Sequence, residues 1–166
     1  MFHAFDNHRP NRSTPRPEWM ALLSRAPLPL LEQALSQQAA LAPQWLRKPE
    51  TGLYMVQGRA GGTGERFNLG ELTVTRCALR VGDEGSAVGV AYVMGRNHRQ
   101  AQLAAMADAL LQDPAQHEAL DAALLHPVRQ HLHLQRAQRA ARAQSTQVNF
   151  FTVARESGSA DEGDEA

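Results

Sequence analysis

The chain has 166 residues, of which 43% are hydrophobic and 20% charged, values that suit one soluble globular domain with a core of ordinary size. No apolar run approaches the ~20 residues needed to cross a bilayer. The single cysteine, Cys77, excludes an intramolecular disulfide, and with it a Cys-based zinc site or an iron–sulfur cluster held by this chain alone.

Formal charge sums to zero but is unevenly spread. Residues 156–166 carry five acids and no base, while residues 1–16 carry three Arg and one Asp. The remainder has 14 basic and 11 acidic residues, a net of +3, and every base in it is Arg except Lys48. An Arg-dominated, weakly basic body suits phosphate-type anions or acidic partner surfaces. It is too weak a charge to indicate nucleic acid.

Residues 1–16 mix Asn, His, Arg, Ser and Pro without periodicity and are expected to be a disordered tail. They contain no apolar stretch of the secretory type, so the cytoplasm is the expected compartment. Pro17 suits a first helical position, and Trp19, Leu22, Leu23 and Ala26 follow at helical spacing. Pro27 and Pro29 break this helix. Leu31, Ala34 and Leu35 mark a second short helix ending near Pro43.

The period then changes. Gly52–Arg59, Glu71–Val81 and Ala87–Met94 read as strands, the second rich in β-branched residues. A glycine-rich segment, Ala60–Gly70, joins the first two, and a short turn, Gly82–Ser86, joins the others. Such connections predict an antiparallel meander. Asn97 can cap a helix, with Gln100 three residues on, and Leu103, Met106, Ala107 and Leu110 form its buried stripe. Asp113-Pro114 starts another helix, which His126-Pro127 interrupts. A long Arg- and Ala-rich helix runs to about Ser145, and Val148–Arg155 reads as a last strand. The acidic, Gly/Ser-rich residues 156–166 are expected to be disordered. The predicted class is α+β: an antiparallel β-meander plus a C-terminal strand, flanked by N-terminal and C-terminal helices, in one domain over residues 17–155.

Gly61-Gly62-Thr63-Gly64-Glu65-Arg66 is the sharpest local signal. Glycines free the backbone to approach an anion, and exposed N–H groups can cradle one. The segment is neither a Walker A loop nor a dinucleotide fingerprint, since no Gly-Lys-Ser/Thr and no helix follow. A hairpin loop that needs glycines for its shape is the plainer account. Arg76 shares a strand face with Leu72, Val74 and Ala78, which look buried. A guanidinium there needs a phosphate or an acidic partner, with Glu71, Glu65 or Glu50 as internal candidates. Gly95-Arg96-Asn97 joins a strand end to a helix N-terminus, which favours anions, although a plain turn with a solvated Arg96 is the simpler account. Arg129, Arg136, Arg139 and Arg142 line the last helix as a solvated face or a docking face. His131 and His133 stand at i and i+2, the wrong spacing for two ligands on one helix face, so no metal site is expected. Asp108 and Glu118 read as ordinary helix acids. The third strand's Ala87, Gly89, Ala91 and Val93 form a small-residue face that lets another backbone come close.

The run Glu50-Thr51-Gly52-Leu53, then Arg59, Gly61–Phe67, Gly70-Glu71 and Thr75-Arg76, resembles the central signature of the PhnG family, subunits of the bacterial carbon–phosphorus lyase core complex. Trp19-Met20, Gly95-Arg96, Ala101, Asp108-Ala109-Leu110 and Val148–Val153 continue the resemblance, which covers about residues 17–155. Gln102, Cys77 and the long acidic tail depart from it. The resemblance implies a part in phosphonate catabolism. The G, H and I subunits, with an ATP-binding-cassette-like L subunit, attach a phosphonate to the ribose of a nucleoside triphosphate and release adenine. The J subunit then breaks the carbon–phosphorus bond by radical S-adenosylmethionine chemistry. It also implies PhnH, PhnI and PhnJ as partners, most directly PhnI, with PhnL transient and MgATP used by the complex rather than bound by this chain. No family catalytic residue carries over. Gly61, Gly62, Thr63, Gly64, Glu65, Arg66, Arg76 and Arg96 stand as anion- or partner-binding candidates. A stand-alone enzyme acting on a phosphorylated metabolite through the glycine-rich loop and Arg76 is the competing reading. An RNA-binding adaptor is a third, opposed by the weak charge and by the lack of aromatics among the arginines.

Overall fold

The computed structural model of the chain describes residues 14–38 and 42–147. The tail over residues 1–13, the strand expected at Val148–Arg155 and the acidic tail lie outside the described residues. The chain divides into two units, Met1–His131 and Leu132–Ala166. The first carries the sheet and most of the helices.

Helix α1 (Arg16–Leu23) starts one residue before Pro17 and buries Trp19, Leu22 and Leu23, as their spacing predicts. Helix α2 (Leu28–Ala34) buries Leu31, and Leu35 just past its end is fully buried as well. It stops well short of Pro43, because the backbone leaves the helical region at Leu35 (φ −104°, ψ 17°). Three strands follow: β1 (Gln44–Arg59), β2 (Arg66–Arg80) and β3 (Val88–Met94), in an antiparallel meander of order β1-β2-β3. The meander agrees with the sequence reading, but two of the strands are longer. β1 begins eight residues before Gly52, running through Pro49. A proline there removes no ladder bond, because the register slips between Arg47 and Glu50 and β1 is an edge strand among the described residues. β2 begins at Arg66 rather than Glu71, so the connection shrinks from Ala60–Gly70 to a tight turn.

The two long strands outrun the third. β3 pairs with β2 only from Val74 to Arg80. Beyond Gly52 and Val74, β1 and β2 continue alone as a two-stranded arm, about 25 Å long at ~3.3 Å per residue. Gly61 (φ 59°) and Gly62 (φ 80°) turn the chain at its tip, a backbone shape that favours glycine.

Helix α3 (His98–Leu111) packs across one face of β2 and β3. Asn97 caps it, its side-chain oxygen accepting from the Gln100 N–H at 3.0 Å. From Leu103 to Leu111 every residue of α3 is buried. The sheet face beneath presents Thr75, Cys77, Leu79, Ala91 and Val93, also buried. The small-residue face of β3 admits a close backbone, and the backbone it admits is this chain's own helix. A Cβ on Gly89 would lie 1.9 Å from the Ala105 carbonyl oxygen and 2.8 Å from the Ala109 nitrogen.

Asp108 is fully buried within this helix. It accepts from Arg16 Nη2 (2.8 Å) and Nε (3.2 Å), from Trp19 Nε1 (2.8 Å) and from the Val90 N–H (2.9 Å). One carboxylate thereby joins α1, α3 and the free side of β3. The same contact raises the Arg16 pKa through its hydrogen bond to Asp108. Sequence reasoning took Asp108 as an ordinary helix acid. The available signal was its company, an unbroken Ala/Leu/Met run in which a lone carboxylate has no solvated face.

Helix α4 (Pro114–Leu120) is capped by Asp113, which accepts from the Ala115 N–H at 2.9 Å. His126-Pro127 does not break the chain's course as expected. A π-helical turn over Asp121–Leu125 precedes it, and helix α5 (His126–Ser145) continues directly. The widened turn accommodates Pro127, which lacks an N–H and whose ring would otherwise press on the carbonyl four residues back. The part of α5 that falls in the second unit, from Leu132 on, is mainly exposed and carries Arg136, Arg139 and Arg142. Among the described residues no helix is long and apolar enough to cross a membrane.

Candidate functional site

The candidate residues occupy three separate places. Gly61, Gly62, Thr63, Gly64, Glu65 and Arg66 make the tip of the arm. Arg76 lies at its base. Arg96 is exposed at the start of α3, the helix that covers the opposite sheet face. Ten residues of β2 separate Arg66 from Arg76, roughly 33 Å of strand. The glycine-rich loop and Arg76 therefore do not form one pocket.

At the base, the face expected to bury Arg76 is the open one. Leu72 is 40% exposed, and Val74 and Ala78 are half-buried. The period of two was right and its polarity was inverted: Thr75, Cys77 and Leu79 turn toward α3 and take Leu72, Val74 and Ala78 outward with Arg76. Of the three carboxylates offered by the sequence, Glu50 is the partner, with Arg76 Nε donating to Glu50 Oε1 at 2.7 Å. Arg47 Nη1 donates to the same oxygen at 2.7 Å. Hydrogen bonds from Arg47 and then Arg76 hold the Glu50 carboxyl below its usual range, and the bond to Glu50 raises the Arg76 pKa. Between Glu50, Arg76, Tyr54 and Tyr92 lies an open hollow of about 270 Å³. Its guanidinium is already engaged by a carboxylate, so the hollow suits an apolar or aromatic side chain better than a bare anion.

The arm itself is the unusual feature. The register places Tyr54 opposite Leu72 and Gly58 opposite Phe67 on its outer face, continuing the open sheet face. Tyr54 is 59% exposed, Phe67 47% and Tyr92 47%. On the other face, beyond the cover of α3, Leu53 and Met55 are exposed opposite Thr73 and Glu71. Leu69, at the register slip between Val56 and Gln57, is exposed too. Large apolar side chains in water on both faces of a two-stranded ribbon mark a surface made to be covered.

A polar chain links the arm's base to α3. Thr75 Oγ1 donates to the Gly95 carbonyl (2.7 Å) and has no second proton, so Thr51 Oγ1 donates to Thr75 (2.9 Å). Thr51 has then spent its own proton, and His98 Nε2, 3.0 Å away, must donate to Thr51. The order of donors fixes the neutral His98 as the Nε2–H tautomer.

Two further side chains singled out by the sequence, Arg129 and Cys77, serve the fold. Arg129, expected on a solvated or docking face, donates to Thr14 Oγ1 (2.6 Å) and to both Asp121 oxygens (3.2 and 3.4 Å). Burial pushes the Asp121 carboxyl up, but hydrogen bonds from Thr14 and Arg129 outweigh it and leave the pKa below its ordinary value. Burial drives the Cys77 thiol up to about 12, and it donates to the Ala101 carbonyl at 3.1 Å, so it is not a nucleophile. Among the described residues no cluster of His, Cys, Asp and Glu could hold a metal ion.

An α3-backed meander extended by an exposed, partly apolar ribbon defines a small α+β protein. The sequence model of the family described as phosphonate metabolism protein PhnG matches residues 14–156. A protein of Rhizobium meliloti (strain 1021), alpha-D-ribose 1-methylphosphonate 5-triphosphate synthase subunit PhnG, is 41% identical over 143 residues, which span 84% of this chain and 88% of that protein. The chain belongs to the PhnG family.

Proposed function

We propose that this chain is a subunit of a synthase that transfers a phosphonate to the ribose C1 of a nucleoside triphosphate with release of adenine, in organic phosphonate catabolism. It contributes a docking surface to that assembly and no reacting group of its own. The observation that carries this reading is the arm, whose exposed aromatic and aliphatic residues need a cover, in a chain 41% identical to a synthase subunit. The cover is PhnI most directly, within a core that also contains PhnH and PhnJ, with PhnL joining transiently. MgATP serves the complex and is not held by this chain, and the complex works in the cytoplasm. Arg76 and the aromatic hollow beside it, the tip residues Gly61 to Arg66, and Arg96 are contact positions in this scheme. The competing stand-alone enzyme loses its basis, since the loop and Arg76 that it needs together are far apart.

The experiment is affinity purification through a tag on this chain, expressed with PhnH, PhnI and PhnJ, followed by native mass determination. Equal stoichiometry of the four chains is expected, with no turnover of nucleoside triphosphate and phosphonate by this chain alone. A well-behaved monomer that ignores PhnI would refute the reading.

A further inference from the structure

The tip of the arm carries a charge arrangement that does not satisfy itself. Arg59 and Arg66 are direct cross-strand partners. Their side chains share one face of the ribbon, next to the pair Gln57 and Asn68, which are joined by a 3.3 Å hydrogen bond. Like charges placed directly opposite each other destabilise a strand pair. Glu65 directly precedes Arg66, yet among the described residues no carboxylate forms an ion pair with either arginine. Arg59 reaches only the Gly64 carbonyl, at the long distance of 3.5 Å. The opposite face of the same tip is apolar, with Phe67 lying over Gly58 and continuing to Leu72 and Tyr54.

We propose that Arg59 and Arg66 form a two-guanidinium clamp for a carboxylate on a neighbouring subunit of the synthase. The arm enters a cleft in that subunit with one apolar wall, against Phe67, Leu72 and Tyr54, and one acidic wall, against the clamp. This deepens the subunit reading above and rests on it. The occupant is a protein surface rather than a free anion because cation and exposed apolar residues lie back to back on one slender ribbon. A small anion would neutralise the arginines and leave the aromatic face in water, whereas a cleft covers both. Paired guanidiniums suit a carboxylate because their planar donors meet its two oxygens, and water exclusion at the centre of an interface strengthens the contact.

The test uses the full-length chain expressed with its partner subunits and compares Arg66→Glu, Arg59→Glu, Arg66→Lys and the remote Arg142→Glu. In the isolated chain, Arg66→Glu gives Arg59 an opposite charge across the ribbon, so its melting temperature should equal or exceed that of the unaltered chain. In the assembly the same substitution should weaken association on the order of ten- to a hundred-fold and flatten its dependence on salt. Arg66→Lys should lie between, and Arg142→Glu should associate normally. Stability and association moving in opposite directions is the signature of the clamp, because a misfolded arm would lose both. Wild-type association of Arg66→Glu and Arg59→Glu would overturn the proposal. So would an intact assembly that has lost turnover, which would assign the arginines to the substrate's phosphates instead. Failure of the unaltered chain to associate is a separate result, and it would overturn the subunit reading itself.

Discussion

Trp19 and Asp108 meet through a 2.8 Å hydrogen bond between the indole N–H and a carboxylate with no exposed surface, 89 residues away in sequence. The bond ties α1 to the centre of α3, and the same carboxylate takes the Val90 N–H that no neighbouring strand claims among the described residues. Asp108→Ala strands an indole donor, a backbone donor and the Arg16 guanidinium together. It should cost about 3–5 kcal/mol, against about 1–2 kcal/mol for Trp19→Phe, which leaves the ion pair in place. Urea denaturation followed by circular dichroism measures both, and equal losses would show that the carboxylate is not the hub.

Gly89 is a second point of low tolerance, for steric reasons. Gly89→Ala drives a methyl into the α3 backbone, and the helix must lift from the sheet. Gly52→Ala and Gly70→Ala, where a Cβ meets nothing within 4 Å, should change stability by less than about 1 kcal/mol. Thermal melts of the three variants should separate Gly89→Ala from the other two by well over 10 °C.

Asp121 makes stability depend on acid. Its folded pKa lies below the ordinary carboxyl value. The stabilisation is therefore complete above the unfolded pKa, about 3.9, and drains away as the pH falls through the folded value. Asp121→Asn should flatten that part of the stability–pH curve and leave the slope near pH 7 unchanged. Denaturant midpoints from pH 7 down to about pH 2.5 provide the comparison, and an unaltered acid limb in the variant would contradict it.

The donor chain at the base of the arm predicts a tautomer. In its neutral form His98 should carry its proton on Nε2. Thr51→Val removes the acceptor and should return a mixture of tautomers. Nitrogen-15 shifts of the ring distinguish the two nitrogens directly, and an Nδ1–H form in the unaltered protein would show that the threonine hydroxyls point the other way.

Arg76→Ala should impair growth on methylphosphonate as sole phosphorus source far more than Arg142→Ala. Arg76 frames the aromatic hollow at the base of the arm, whereas Arg142 is an exposed residue of α5. Equal, wild-type growth of the two strains would remove Arg76 from the interface.

Periodicity and caps were legible because they are local. The 19/22/23/26 spacing of α1, the Asn97 and Asp113 caps and the meander follow from neighbouring residues, and the structure has them all. Polarity of the sheet was not legible. In β2 both alternations, Leu72/Val74/Ala78 and Thr75/Cys77/Leu79, are apolar, so only the position of α3 decides which turns inward. The length of the arm was missed because a ribbon open on both faces has no hydrophobic alternation to read, and Pro49 argues against a strand unless a bulge is known. Asp108 was missed because its donors come from two elements, α1 and β3, that are distant from it in sequence. The glycine-rich loop was legible as a place of interest, but its neighbour Arg59 gains meaning only once the register sets it against Arg66.

The open edge of β1 bears on how the cell must handle this polypeptide. Sixteen residues of strand end the sheet on that side among the described residues, with no further strand beyond them, and several carry large apolar side chains. An orphan copy presents a template on which a second orphan can add its own strand. The dose of this chain relative to its cover then matters more than its absolute amount. Synthesis in step with its neighbours, or rapid proteolysis of any excess, becomes a requirement set by the geometry of one hairpin.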